Sequence, residues 1–520
     1  MNQNRMFNNP VLPGFYPDPS ICRVNDDYYL VTSSFAYFPG VPIFHSKDLV
    51  NWKQIGYVLD RPSQLPLDGV EQSEGIFAPT IRYHEGIFYM ITTNVTKGGN
   101  FIVTSKKPEG PWSDPYWLSD APGIDPSLFF DDDGKAYCIG TYDVPEKPAY
   151  FGDNEIWIRE IDTEHMVLKG GRTGLWRGAL KHAVWSEGPH LYKVDGFYYL
   201  MIAEGGTDYF HSVTIARSKD IKGPFEGYAG NPILTHRHLG RSYPIVNTGH
   251  ADLVETQNGE WWMVALASRP YGGYYRNLGR ETFLMPVIWE DGWPVVSPGT
   301  GRIEFTYANP DLPINEHEHH VTVDHFDRSS LDFCWNFLRT PKEQFYNLTE
   351  RPGYLRLKIK PCRLTGLANP SFVGRRQQHI DFIARTIMEF APRQEDEAAG
   401  LVLNQSNRYH LRMEYLLREG RTSVQLVQCV NGIETVLKSV PFHARRMEMM
   451  VKAKGQNYSF YFGSEDGNEL IPLSENVDGR ILSSDVAGGF VGTYIGMYAS
   501  SNGIESKNTA DFDLFEYRGI

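Results

Sequence analysis

Five stretches of this chain repeat one another, and that repeat constrains the fold more than any other feature. They are "PDPSICRVNDDYYLVTSS" from Pro17, "FAPTIRYHEGIFYMITTN" from Phe77, "IDPSLFFDDDGKAYCIGT" from Ile124, "SEGPHLYKVDGFYYLMIAE" from Ser186 and "GHADLVETQNGEWWMVALAS" from Gly249. Each reads as a short strand, a turn and an aromatic-rich second strand. The turns fall at Asn25-Asp26-Asp27, Glu85-Gly86, Asp131 to Gly134, Asp195-Gly196 and Asn258-Gly259, with residues suited to hairpins. A third strand follows in most units, as in "IWIREID" and "SVTIARSKDIKGPF". The aligned positions Asp18, Ala78, Asp125, Glu187 and His250 are spaced by 60, 47, 62 and 63 residues. A small antiparallel sheet recurring at such a period indicates a β-propeller, here of five blades. No stretch carries sustained helical periodicity, which argues against an α/β fold.

In a propeller the innermost strands run the same way along one channel, so equivalent residues form a ring at one mouth. That ring reads Asp18, Ala78, Asp125, Glu187, His250. A single Asp-Pro or Glu-Gly-Pro is ordinary strand-start chemistry. Three acids at one repeat position are costly, because like charges and desolvation both raise carboxyl pKa values, and this points to use. Paired carboxylates across a pocket are the equipment of glycoside hydrolysis. Blades 3 and 4 are neighbours, so Asp125 and Glu187 are expected close together, and Asp18 apart from them. A separation of roughly 6.5–9.5 Å between acid and base implies inversion, and about 5–5.5 Å implies retention. Blade order alone leaves open which of Glu187 and Asp125 is the acid.

The motifs "NPVLPGFYPDPSI", "FAPTIRY", "GIDPSLFFDDDGKAY", "SEGPHLYK" and "GHADLV" occur in this order between Asn9 and Val254. Together they resemble glycoside hydrolase family 43, of the β-xylosidase and α-L-arabinofuranosidase type. The resemblance implies a five-bladed propeller and inverting hydrolysis, with Asp18 as general base, Glu187 as general acid and Asp125 as modulator of the acid's pKa. It also implies that Arg280 in "RNLGRETF" contacts sugar hydroxyls and the acid cluster, and that Phe35 in "TSSFAYFPG" walls the terminal sugar pocket. Phe77 stands where many relatives have tryptophan, which alters the expected stacking. Ala78 leaves room for the sugar, and Thr207 in "EGGTDYF" is a further substrate contact. His250 joins the substrate-binding set and is the one position where the family admits a structural calcium or a water cluster. A lone imidazole is an unusual calcium ligand, since calcium prefers oxygen.

After "GWPVVSPGTGRIEF" the repeat stops. The expected organisation is a catalytic propeller over 1–305, a polar connector over 306–320 and a second all-β domain over 321–520. Alternating runs such as "FIARTIMEF", "YHLRMEYLL" and "TADFDLFEY" suggest a β-sandwich. By resemblance it is a concanavalin-like sandwich packed on the active-site mouth, and the rival reading is an independent carbohydrate-binding module. In "GGFVGTYIGMYASS", Phe490 and Tyr494 are the candidates to reach that mouth, and Tyr494 is assigned to the substrate-binding set. "NEHEHH" at Asn315–His320 lacks ligand spacing and reads as solvated connector.

The expected function is an inverting exo-hydrolase that releases terminal xylose, and also α-L-arabinofuranose, from short oligosaccharides. The alternatives are an arabinan-degrading relative and a non-catalytic carbohydrate-binding propeller. The latter predicts loss of one acid, yet all three are present. The hydrolysis needs no cofactor, and no nucleotide motif occurs. A net charge of −13 without a basic stripe argues against nucleic acid. No apolar run long enough to span a membrane is present. Five scattered cysteines and a polar N-terminus lead to the expectation of a cytoplasmic protein. Association into a homo-oligomer is compatible with such an enzyme.

Overall fold

The computed structural model describes residues 5–144, 148–316, 322–464 and 469–520. Its first half holds five antiparallel sheets in sequence order, four of them four-stranded and one five-stranded. Blade 1 is Ser20–Val24, Asp27–Val31, Gly40–Ser46 and Lys53–Leu59. The innermost strands of blades 2 to 5 are Thr80–His84, Ile124–Phe130, Glu187–Val194 and Val246–Glu255. Blade 4 adds a short strand, Leu234–Thr235, against its third.

The turns explain the regularity. Blades 2 and 4 close on two-residue hairpins, Glu85-Gly86 and Asp195-Gly196, with both residues at positive φ (48° and 84°; 48° and 75°). This primed geometry matches the twist of the flanking strands. In blade 1 the turn is shorter than expected, because Asp27 already pairs with Val24.

The second half is a sandwich. An eight-stranded sheet contains Phe382–Glu389, Arg446–Lys454 and the C-terminal strand Thr509–Gly519. A six-stranded sheet contains Ser371–Arg376, Tyr494–Ser500 and Ala398–Ser406. In the first sheet the inward residues alternate, with Phe382, Ala384, Met449 and Val451 buried, whereas Ala398–Ser406 of the second is buried on both faces.

The two halves share one continuous core, in which Val31, Ile43 and Met90 of the propeller meet Phe337, Val373 and Met497 of the sandwich. Tyr37–Phe38 of blade 1 pairs with Phe337–Leu338. The buried Arg376 donates through Nε to the Phe15 carbonyl at 2.7 Å and through Nη1 to Asn336 Oδ1 at 2.9 Å. The expected connector is partly ordered strand, since Thr306–Ala308 pairs with Met6–Asn8. The histidines of "NEHEHH" lie outside the described residues. The cysteines are all free, and among the described residues no helix is long and apolar enough to cross a membrane.

Candidate active site

The ring positions are set by a local distortion of the strands that carry them. Asp18, Asp125 and His250 have φ of 54°, 52° and 46°, a region that L-residues enter at a cost of about 1–2 kcal/mol each. The strand registers slip beside three of the ring positions, between Ile124 and Ser127, Glu187 and His190, and Gly249 and Ala251. A bulge re-aims a side chain that regular pleating would send to a blade face. Gly188, at φ 57°, serves the same bend, and a Cβ there would stand 3.0 Å from the His250 ring.

One cavity gathers the expected residues. Asp18, Asp125, Glu187 and His250 form its floor with Ala78. Phe35, Phe77, Thr207 and Arg280 line its sides, together with Ile124 and Phe490. Tyr494 is not among them, which corrects its assignment to the substrate-binding set. It is 0% exposed and stacks on Tyr37 with ring centroids 3.8 Å apart. Tyr494 begins a strand buried at every position, so its side chain belongs to the domain interface. Phe490 precedes that strand in a loop and is 40% exposed. Its backbone N–H donates to Ser73 Oγ at 2.9 Å, and its ring lies 6.1 Å from Phe35 and 6.0 Å from Phe77. The sandwich thus contributes one aromatic side to a cavity built otherwise by the propeller.

The three acids have different surroundings. Asp18 Oδ1 accepts from Arg280 Nη1 at 2.7 Å, and its Oδ2 accepts from Ser33 Oγ at 2.6 Å. Burial pushes its pKa up, but Arg280, His250 and the Ser33 hydroxyl outweigh this and hold it below the usual carboxylate value. Asp125 Oδ2 accepts a backbone bond from Gly188 N–H at 3.2 Å. Burial and the Asp18 charge raise it to about 6, against the pull of His250. Glu187 is raised well above the ordinary glutamate value, first by burial and then by the charges of Asp125 and Asp18. Of the three, Asp18 is thus the carboxyl most disposed to stay ionised and Glu187 the one most disposed to keep its proton.

Ser33 was not foreseen, although it lies two residues before Phe35 in the quoted "TSSF" motif. Nor was Ile124, which only its place beside Asp125 marks. His211 is buried nearby, its Nδ1 3.1 Å from the Asn247 carbonyl, and burial lowers its pKa to about 3. Beneath the floor a second polar cluster plugs the channel: Asp252 accepts from Arg82 Nη1 at 2.9 Å and from Tyr192 OH at 2.6 Å.

The donors around His250 do not fit a calcium cage. Its nearest carboxylate is Asp18, 3.9 Å away and already committed to Arg280 and Ser33. Among the described residues no group of three or more His, Cys, Asp or Glu is arranged to hold a metal.

The family model described as glycosyl hydrolases family 43 matches residues 7–294. The chain belongs to glycoside hydrolase family 43. A second model, the β-xylosidase C-terminal concanavalin A-like domain, matches residues 323–518. This family 43 glycosidase is 50% identical over 513 residues to a xylosidase/arabinosidase of Butyrivibrio fibrisolvens, covering 98% of each chain. It is 40% identical to a non-reducing end α-L-arabinofuranosidase of Bacteroides ovatus, over 99% of this chain and 95% of that one. Among solved structures, xylan β-1,4-xylosidase from Bacillus halodurans superposes with a TM-score of 0.93 at 37% identity, covering 98% of this chain and all of the other.

Proposed function

We propose that this glycosidase is an inverting exo-hydrolase that removes terminal xylose, and also α-L-arabinofuranose, from short oligosaccharides. The observation that carries the reading is the contrast between Asp18, bound by Arg280 and Ser33 and so lowered in pKa, and Glu187, buried in the same cavity beside Asp125 and so raised. Asp18 takes a proton from a water that attacks the anomeric carbon. Glu187 gives its proton to the departing glycosidic oxygen. Asp125 stays charged at neutral pH and keeps that proton on Glu187 until the oxygen draws it off. Arg280 bridges Asp18 and Thr207 through one nitrogen, Nη1 (2.7 and 3.1 Å), and so fixes the base against the sugar-binding side of the cavity.

The cavity's shape supports exo action. Phe35, Phe77 and Phe490 close one side with aromatic faces, which suit the C–H face of a single terminal sugar. A relative named xylosidase/arabinosidase and another named α-L-arabinofuranosidase support the dual specificity. The test is a proton NMR time course on xylobiose. α-Xylose appearing before mutarotation is the expected result. β-Xylose appearing first overturns inversion, and no cleavage directs the same assay to arabino-oligosaccharides.

A further inference from the structure

The rim outside the cavity, between blades 3 and 4, carries three aromatic side chains that no fold requirement explains. Phe151 is 80% exposed, Trp185 40% and Phe210 62%. Exposed aromatics scattered singly are ordinary, but two of these, Phe151 and Trp185, meet. The Phe151 ring meets the Trp185 ring edge to face, with centroids 5.6 Å apart. The Trp185 indole lies on Gly206, where a Cβ would come within 2.5 Å of the ring. The next residue, Thr207, is in the cavity wall. Phe210 follows in the same loop, its backbone carbonyl close to Gly205 and its ring edge to face with Tyr209 at 5.5 Å.

Trp185 is held in place at a cost. Its φ is 53°, a genuine outlier for a bulky L-residue. The surroundings enforce it. Trp185 N–H donates to the Gly152 carbonyl at 2.7 Å, and Gly205 N–H donates to the Val184 carbonyl at 2.8 Å. Ser186 Oγ donates to the Arg177 carbonyl at 2.7 Å. The buried Glu204 carboxylate accepts from the N–H groups of Ala179 and Leu180 at 2.6 and 3.0 Å. A loop pinned this firmly, yet ending in an indole open to solvent, is built to present that indole.

We propose that Trp185, flanked by Phe151, is the stacking platform for the leaving-group sugar, the pyranose on the reducing-end side of the cleaved bond. This rests on the reading of Glu187 as the acid. The acid faces the leaving oxygen, so the leaving sugar emerges on its side of the mouth. Glu187 comes from blade 4, two residues after Trp185. The aromatic side that suits the terminal sugar belongs instead to Phe35, Phe77 and Phe490. A pyranose presents flat C–H faces to an indole, and such contacts are realised only by substrates that carry the second sugar.

The test compares xylotriose with β-D-xylopyranosyl fluoride, whose leaving group is too small to reach the platform. In Trp185→Ala, kcat/KM for xylotriose should fall about tenfold while that for the fluoride holds within about twofold. Trp185→Phe should recover most of the loss, and Phe151→Ala should give a smaller loss of the same selectivity. Equal losses on both substrates overturn the proposal, because Trp185 then merely supports the Glu187 strand. No loss on either, with a change in assembly size by sedimentation, also overturns it and assigns the aromatics to contact between chains. If the wild-type protein cleaves neither substrate, the reading of the catalytic site itself fails, and the platform falls with it.

Discussion

Arg280 and Asp18 form a buried ion pair, Nη1 to Oδ1 at 2.7 Å, although they stand 262 residues apart in the chain. The pair joins the first motif of the repeat to the last blade, and the guanidinium acts on every acid of the floor. Arg280 lowers the pKa of Asp18 more than any other neighbour does, and it also lowers those of Asp125 and Glu187, though it is a smaller influence there than burial and the neighbouring charges. Arg280→Met should therefore move both limbs of the pH profile of kcat/KM upward. The acid limb rises because the carboxylates that must be ionised hold their protons longer. The alkaline limb rises because Glu187 does too. The variant should also lose stability, by about 3–5 kcal/mol, because a buried carboxylate is left without its partner. A denaturant titration and a pH–rate profile measure both. Limbs that move in opposite directions would contradict a shared field from Arg280.

Replacing the base should be more severe. Asp18→Asn keeps the shape of the side chain and its contact with Ser33 but cannot accept a proton from water. Turnover should fall on the order of 10³-fold or more, with the fold intact by circular dichroism. Full activity in that variant would remove Asp18 from the mechanism.

Asp125 offers a cleaner test of electrostatics than of chemistry. Its pKa of about 6 places it in the ionised form at neutral pH, where its charge raises Glu187. In Asp125→Asn that charge is gone, so Glu187 ionises at lower pH and the alkaline limb moves acidward. The acid limb moves the same way, because the group titrating near 6 is absent and Asp18 ionises lower. The whole bell should shift toward acid, with a maximum rate lower on the order of 10²-fold. An alkaline limb that stays where it was would show that Asp125 does not act on Glu187.

The reach of the sequence can be judged from particular residues. The ring was legible because a propeller converts a period in the chain into proximity in space, so Asp18, Asp125 and Glu187 could be brought together without any contact being known. What gives these side chains their direction, the left-handed backbone at Asp18 and Asp125 and the slipped registers behind it, leaves no periodic mark. The aromatic from the second domain was harder. Phe490 and Tyr494 lie four residues apart in one apolar run, and only the register of Tyr494 with Arg376 and Asn404 puts it inside the interface. Ser73, which holds the Phe490 loop through its hydroxyl, lies 417 residues away and carries no local signal. The same limit applies to Trp185, whose exposure depends on a loop tied to Gly152 and Glu204.

Glu187 also leaves a signature on stability. Its folded-state pKa lies well above the unfolded value of about 4.3, so the native protein binds a proton that the unfolded chain has released. Stability attributable to this group is therefore present below the unfolded pKa and falls as pH rises, until the folded pKa is passed. Each pH unit in that window costs ~1.4 kcal/mol. Glutamine does not titrate and still fills the site. Glu187→Gln should thus unfold at a higher temperature than the wild type, by a margin that widens from pH 5 toward alkaline pH and then levels off. Thermal unfolding across that range measures the margin. A constant difference at all pH values would mean that Glu187 titrates normally in the folded protein, and the acid role would then lack the protonation on which it depends.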